Sequence, residues 1–79
     1  MNGTDQQAKI TEAAIRLHAA NKRRCIEITP IMQRRNAADV GRACGLVIQC
    51  PGSEDNPNAT VEAIIAATDA LAQTEVVAS

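Results

Sequence analysis

Gly45-Leu46-Val47-Ile48-Gln49-Cys50-Pro51-Gly52 is the stretch on which the reading of this 79-residue chain turns. Leu46 to Cys50 is a short, apolar-leaning run, and Gly45 on one side and Pro51-Gly52 on the other are residues that interrupt regular structure. A run of this length between such bounds predicts a buried β-strand. The rival reading keeps the segment as an extended buried loop in an all-helical domain.

The residues before it favour the strand. Cys25 to Ile28 is short and β-branched, with Ile26 and Ile28 on one side and Glu27 on the other, and it reads as a second strand. Thr29-Pro30 then supplies a helix start, because Thr caps well and Pro at the first helical position loses no needed hydrogen bond. That helix is expected to run to about Cys44, with Ala37, Val40 and Cys44 inward, Arg34, Arg35, Asp39 and Arg42 mainly outward, and Gly45 as a left-handed stop. Gly41 inside it costs about 1 kcal/mol relative to Ala, which either counts against this helix or signals a close helix contact. Strand, helix and strand in this order form a right-handed parallel unit if both strands share a sheet.

Two further helices flank this unit. Thr4 and Gln7 have capping-box spacing, so a helix is expected from about Asp5 to Asn21, with Ile10, Ala13, Ala14 and Leu17 on one face and Ile15 either widening it or marking a second contact. The second is expected from about Ala59 to Gln73, with Val61, Ile64, Ile65, Thr68, Leu71 and Ala72 on one stripe and Glu62, Asp69 and Gln73 facing away. Asn-x-Thr occurs at Asn2-Gly3-Thr4 and Asn58-Ala59-Thr60, and both triplets fall at helix starts. Glu75 to Ala78 is either a third strand or a frayed end. The expected fold is therefore α/β, or a small α+β variant, in the order α-β-α-β-α with a two- or three-stranded sheet, as one domain over residues 1–79.

Core material is thin. Ile, Leu and Val number sixteen, alanines number fifteen, and there is no Phe, Tyr or Trp. A domain of this size with so little large apolar surface gains burial from a disulfide, a metal or a second copy of itself, and a homodimer is the expectation. Three cysteines form no even-numbered framework and no secretory leader is recognisable, which points to a reducing cytoplasm. No apolar run approaches the ~20 residues needed to span a bilayer, so no membrane role is expected.

Charge divides the chain. Up to Gly45 there are eight basic and four acidic residues, giving +4, whereas Leu46 to Ser79 holds five acids and no base, giving −5. Lys22, Arg23, Arg24, Arg34, Arg35 and Arg42 form a candidate basic surface able to track duplex phosphates. Without aromatic residues there is no stacking platform for single-stranded nucleic acid. The segment Ala38 to Leu46 resembles the first helix and turn of a helix-turn-helix, but the following Val47-Ile48-Gln49-Cys50-Pro51 is unsuited to a recognition helix. Glu54, Asp55, Glu62 and Asp69 form a candidate acidic docking surface for a basic groove on another protein.

Catalytic chemistry finds little support. His18, Cys25, Cys44 and Cys50 lack the close CxxC pairs of a structural zinc site, and the three cysteines read as small buried residues rather than ligands. A cysteine nucleophile needs a base, and His18 is the only imidazole. Glu54-Asp55 sits among turn formers, and no glycine-rich loop ends in the Lys-Ser/Thr of a phosphate cradle. No catalytic residue, metal or cofactor is expected. The expected function is a non-catalytic interaction protein that inhibits or regulates a larger protein or ribonucleoprotein by surface docking, for example a phage or mobile-element inhibitor of the anti-CRISPR kind. The alternative is a small DNA-binding regulator using the Arg cluster.

Overall fold

The computed structural model describes residues 3–24 and 27–78, and side chains over residues 5–24 and 27–74. Three helices make up the fold, α1 (Gly3–Arg23), α2 (Pro30–Ala43) and α3 (Ala59–Ala78). Among the described residues there is no strand, so the α/β expectation is corrected to a small all-helical fold.

The local helix signals act as their chemistry dictates. Thr29 has extended backbone and its Oγ1 accepts from the Met32 N–H at 3.2 Å, with Pro30 opening α2 behind it. Asn58 caps α3 through Oδ1, which accepts from the N–H groups of Thr60 at 3.0 Å and Val61 at 3.1 Å. At the far end of α2, Gly45 takes φ +94, its N–H donates to the Arg42 carbonyl at 3.0 Å, and the Leu46 N–H donates to the Gly41 carbonyl at 2.9 Å. This pair of bonds satisfies two carbonyls that the helix end leaves open. Two boundaries differ from expectation. α1 already includes Gly3, so Thr4 lies within its first turn instead of capping it, and α3 continues through Ala78, so the tail is helix and not a third strand.

Contacts fix how the helices run. Asn21 Nδ2 donates to Gln33 Oε1 at 3.2 Å near the end of α1 and the start of α2, while Cys44 meets Glu12 at the other end, so these two helices are antiparallel. Arg34 of α2 bonds Glu62 in the first turn of α3, so α2 and α3 start at the same end of the molecule. The connection over residues 44–58 therefore travels back along the bundle. Its first part is the segment expected to be a strand.

That segment plugs the core instead of pairing. Leu46 and Ile48 are buried beside Ile10, Ala13, Leu17, Ala37, Ala38, Val61 and Ile64, whereas Val47 between them is 88% exposed. The alternation is what a half-buried strand shows. A side chain replaces the missing ladder, because Arg42 Nε donates to the Ile48 carbonyl at 2.9 Å. The other expected strand overlaps Cys25 and Ile26, which lie outside the described residues, and Glu27 and Ile28 belong to no strand.

Gly41 is the point of closest approach. A Cβ there would stand 2.5 Å from Ile48 Cδ1 and 2.9 Å from Ile64 Cδ1, so the missing side chain lets the plug and α3 press against α2. The inward face of α2 is consequently centred on Ala37, Ala38 and Gly41, with Val40 and Cys44 only half-buried. This rotation brings Arg34, four residues before Ala38, towards α3 and corrects the expectation that it points outward. Thr68, among the described residues the one polar side chain in the buried set, donates its hydroxyl to the Ile64 carbonyl at 2.7 Å. Among the described residues no helix is long and apolar enough to cross a membrane.

Candidate functional site

The returning connection builds a groove against the start of α2. Thr29, Pro30, Ile31, Arg34 and Arg35 form one wall, Pro51–Asp55 the other, and the space between them is about 490 Å³. The second wall is a closed turn and not a loose strap. Ser53 donates its N–H to the Asn56 carbonyl and accepts the Asn56 N–H on Oγ, both at 3.1 Å. Gly52 has φ +79, and a Cβ on it would stand 2.5 Å from the Asn58 nitrogen, so glycine allows the turn to fold back onto the cap of α3. Glu54 and Asp55 are thereby held at the rim.

Ile31 is 74% exposed at this groove. It continues the helical line of Arg34, Ala38 and Gly41, yet it stands in the first turn of α2, beyond the buried cluster. Sequence reading passed over it. The signal was present as an apolar residue immediately after the Thr29-Pro30 helix start, but periodicity alone places such a residue in the core.

The two candidate charged surfaces are not separate. Arg34 Nε donates to Glu62 Oε2 at 3.0 Å, and the two side chains retain only 16% and 38% of their exposure. Glu62 is thus turned towards α2, which corrects its expected outward orientation. Arg34 and Arg35 share the groove with Glu54 and Asp55. Asp69 is exposed, seven residues and about two turns further along α3 from Glu62, and does not line the groove. Lys22, Arg23 and Arg24 are exposed at the end of α1, on the same end of the bundle as the groove. Arg42 is at the opposite end of α2, holding the Ile48 carbonyl and lying 3.6 Å from Asp39. Its position serves the fold.

Cysteine chemistry has no assembled centre among the described residues, where no group of three or more His, Cys, Asp and Glu side chains converges. Cys44 is half-buried and its Sγ donates to Glu12 Oε2 at 3.7 Å. Burial pushes the Cys44 thiol up, the Glu12 carboxylate adds to the effect, and Arg16 partly opposes it. A thiol held protonated in this way is a poor nucleophile. Cys50 is exposed, and Cys25 lies outside the described residues.

Comparison with protein-family models, curated proteins and solved structures gave no match to this chain.

Proposed function

We propose that this chain is a small non-catalytic interaction protein that regulates or inhibits a larger protein or ribonucleoprotein by docking on it, and that the groove at the start of α2 is its contact surface. Ile31 carries the proposal. An isoleucine 74% exposed beside Pro30 and Pro51, ringed by Arg35 on one side and Glu54 and Asp55 on the other, has the make-up of an apolar anchor with a polar rim. Mixed charge suits a protein surface better than a phosphate backbone, which calls for cations alone.

The narrower version, an inhibitor of a nucleic-acid-handling complex of the anti-CRISPR kind, draws its support from exposed Glu54, Asp55 and Asp69, with Glu62 contributing less because Arg34 neutralises it. Free Cys44 and Cys50 suit the proposed cytoplasmic setting. The second reading, a duplex-DNA regulator, is favoured by exposed Lys22, Arg23 and Arg24 near Arg35 at one end of the bundle.

Affinity capture from cell lysate across a salt series tests the choice. A protein partner held at moderate salt by the wild-type chain and lost with Ile31→Asp is the expected result. Retention of nucleic acid alone, falling steeply with salt and abolished by Arg23→Ala with Arg24→Ala, would overturn docking in favour of the DNA regulator.

A further inference from the structure

We propose, on the footing that the groove at the start of α2 is where docking occurs, that its occupant is a net-neutral segment of a partner protein in which an apolar side chain stands between an acidic residue and a basic one.

Charges that line the groove itself select this occupant. Of the two arginines in the α2 wall, Arg34 is taken up by Glu62 and keeps only 16% of its side-chain exposure. Arg35 beside it is exposed and forms no ion pair among the described residues. Glu54 and Asp55 on the other wall are likewise exposed and unpaired among the described residues. Opposite charges thus face one space of about 490 Å³ without meeting across it. The backbones of both walls are held. Arg35 stands in the second turn of a 14-residue helix, and Glu54 and Asp55 lie within the turn closed by the bonds between Ser53 and Asn56. A gap kept open in this way suits a ligand of matching charge, because little ordering remains to be done on binding. The first turn of α2 carries no acid, so the positive end of its dipole adds to Arg35 on the same wall.

A phosphate backbone or an acidic segment would meet Arg35 while facing Glu54 and Asp55, and a basic segment would meet the acids while facing Arg35. A segment with one charge of each sign satisfies both walls, its acid on the α2 side and its base on the turn side. For its apolar residue, Pro30, Ile31 and Pro51 supply the surface, with Ile31 74% exposed.

Selection of a random heptapeptide display library on the full chain tests the assignment, followed by titration with the enriched peptide as a free probe. The wild-type chain is expected to enrich peptides in which an acid and a base flank an apolar residue. Arg35→Glu should weaken the enriched peptide about ten-fold or more, and exchanging that peptide's acid for Lys should restore its binding to the variant. Glu54→Lys with Asp55→Lys should act likewise on the peptide's base. All three positions are exposed, and circular dichroism checks that the variants keep their helices. Enriched peptides of one charge sign, binding indifferent to the charge reversals, or no enrichment would overturn the assignment. So would a groove filled by a second copy, seen as intermolecular contacts at Ile31 in NMR of a mixed-label sample. A lysate partner lost with Ile31→Asp, alongside peptides lacking the paired charges, would leave docking standing without this occupant.

Discussion

Arg34 and Glu62, 28 residues apart in the chain, meet through a 3.0 Å bond between Nε and Oε2. One belongs to the basic part of the sequence and the other to the acidic part, so the fold uses opposite charges to join the N-terminal halves of α2 and α3. The polarity of the sequence is in this measure an internal one.

Loss of that bond is expected to be felt in stability. Arg34→Ala or Glu62→Ala should each cost about 1–2 kcal/mol, between the small value of an exposed pair and the larger one of a charged hydrogen bond. A double-mutant cycle followed by urea unfolding should return a coupling of about 1 kcal/mol. Additive single effects would mean that the two side chains do not support each other in solution.

Gly41→Ala tests the close approach at the centre of the core. The substitution gains about 1 kcal/mol in helix propensity, but its methyl would meet Ile48 Cδ1 at 2.5 Å and Ile64 Cδ1 at 2.9 Å. Overpacking of buried side chains costs about 1–3 kcal/mol, so a net loss is expected. Adding Ile48→Val removes one of the two clashing methyls and should recover part of it. A Gly41→Ala variant more stable than wild type in urea would contradict this packing.

The plug makes a prediction of contrast between neighbours. Ile48→Ala should destabilise by about 2–4 kcal/mol because it opens the buried cluster, whereas Val47→Ala, at an 88% exposed position, should stay within about 0.5 kcal/mol. Equal effects would place the segment differently.

Cys44 and Cys50 should differ in alkylation. A raised thiol pKa leaves less thiolate at pH 8, so iodoacetamide should modify exposed Cys50 well before Cys44, as site-resolved mass spectrometry would record. The same shift has a sign for stability. Ionisation of Cys44 favours the unfolded chain, so the contribution is intact below the ordinary thiol pKa and is lost as pH rises through the higher folded-state value. Faster modification of Cys44 would contradict its protected setting.

The contrast between what was legible in the sequence and what was not has a physical origin. Thr29-Pro30, Asn58 and Gly45 act through bonds that span two to five residues, and all three perform the capping or stopping roles expected of them. Leu46 to Cys50 was misread because a buried extended loop and a half-buried strand share the same alternation. What separates them is the partner of the Ile48 carbonyl, and here it is the Arg42 side chain instead of another strand. The Arg34–Glu62 pair and the Ile31 groove depend on where residues 44–58 carry the chain. No local pattern encodes that path.

Docking at the groove makes one direct demand on binding. With the partner recovered by capture, affinities should be measured for the wild-type chain, for Ile31→Asp, and for the triple variant Lys22→Ala, Arg23→Ala, Arg24→Ala. An anchor at Ile31 predicts a loss of about 30-fold or more with Ile31→Asp and less than about 3-fold with the triple variant. The reverse order would contradict it and put the working surface at the basic end of α1.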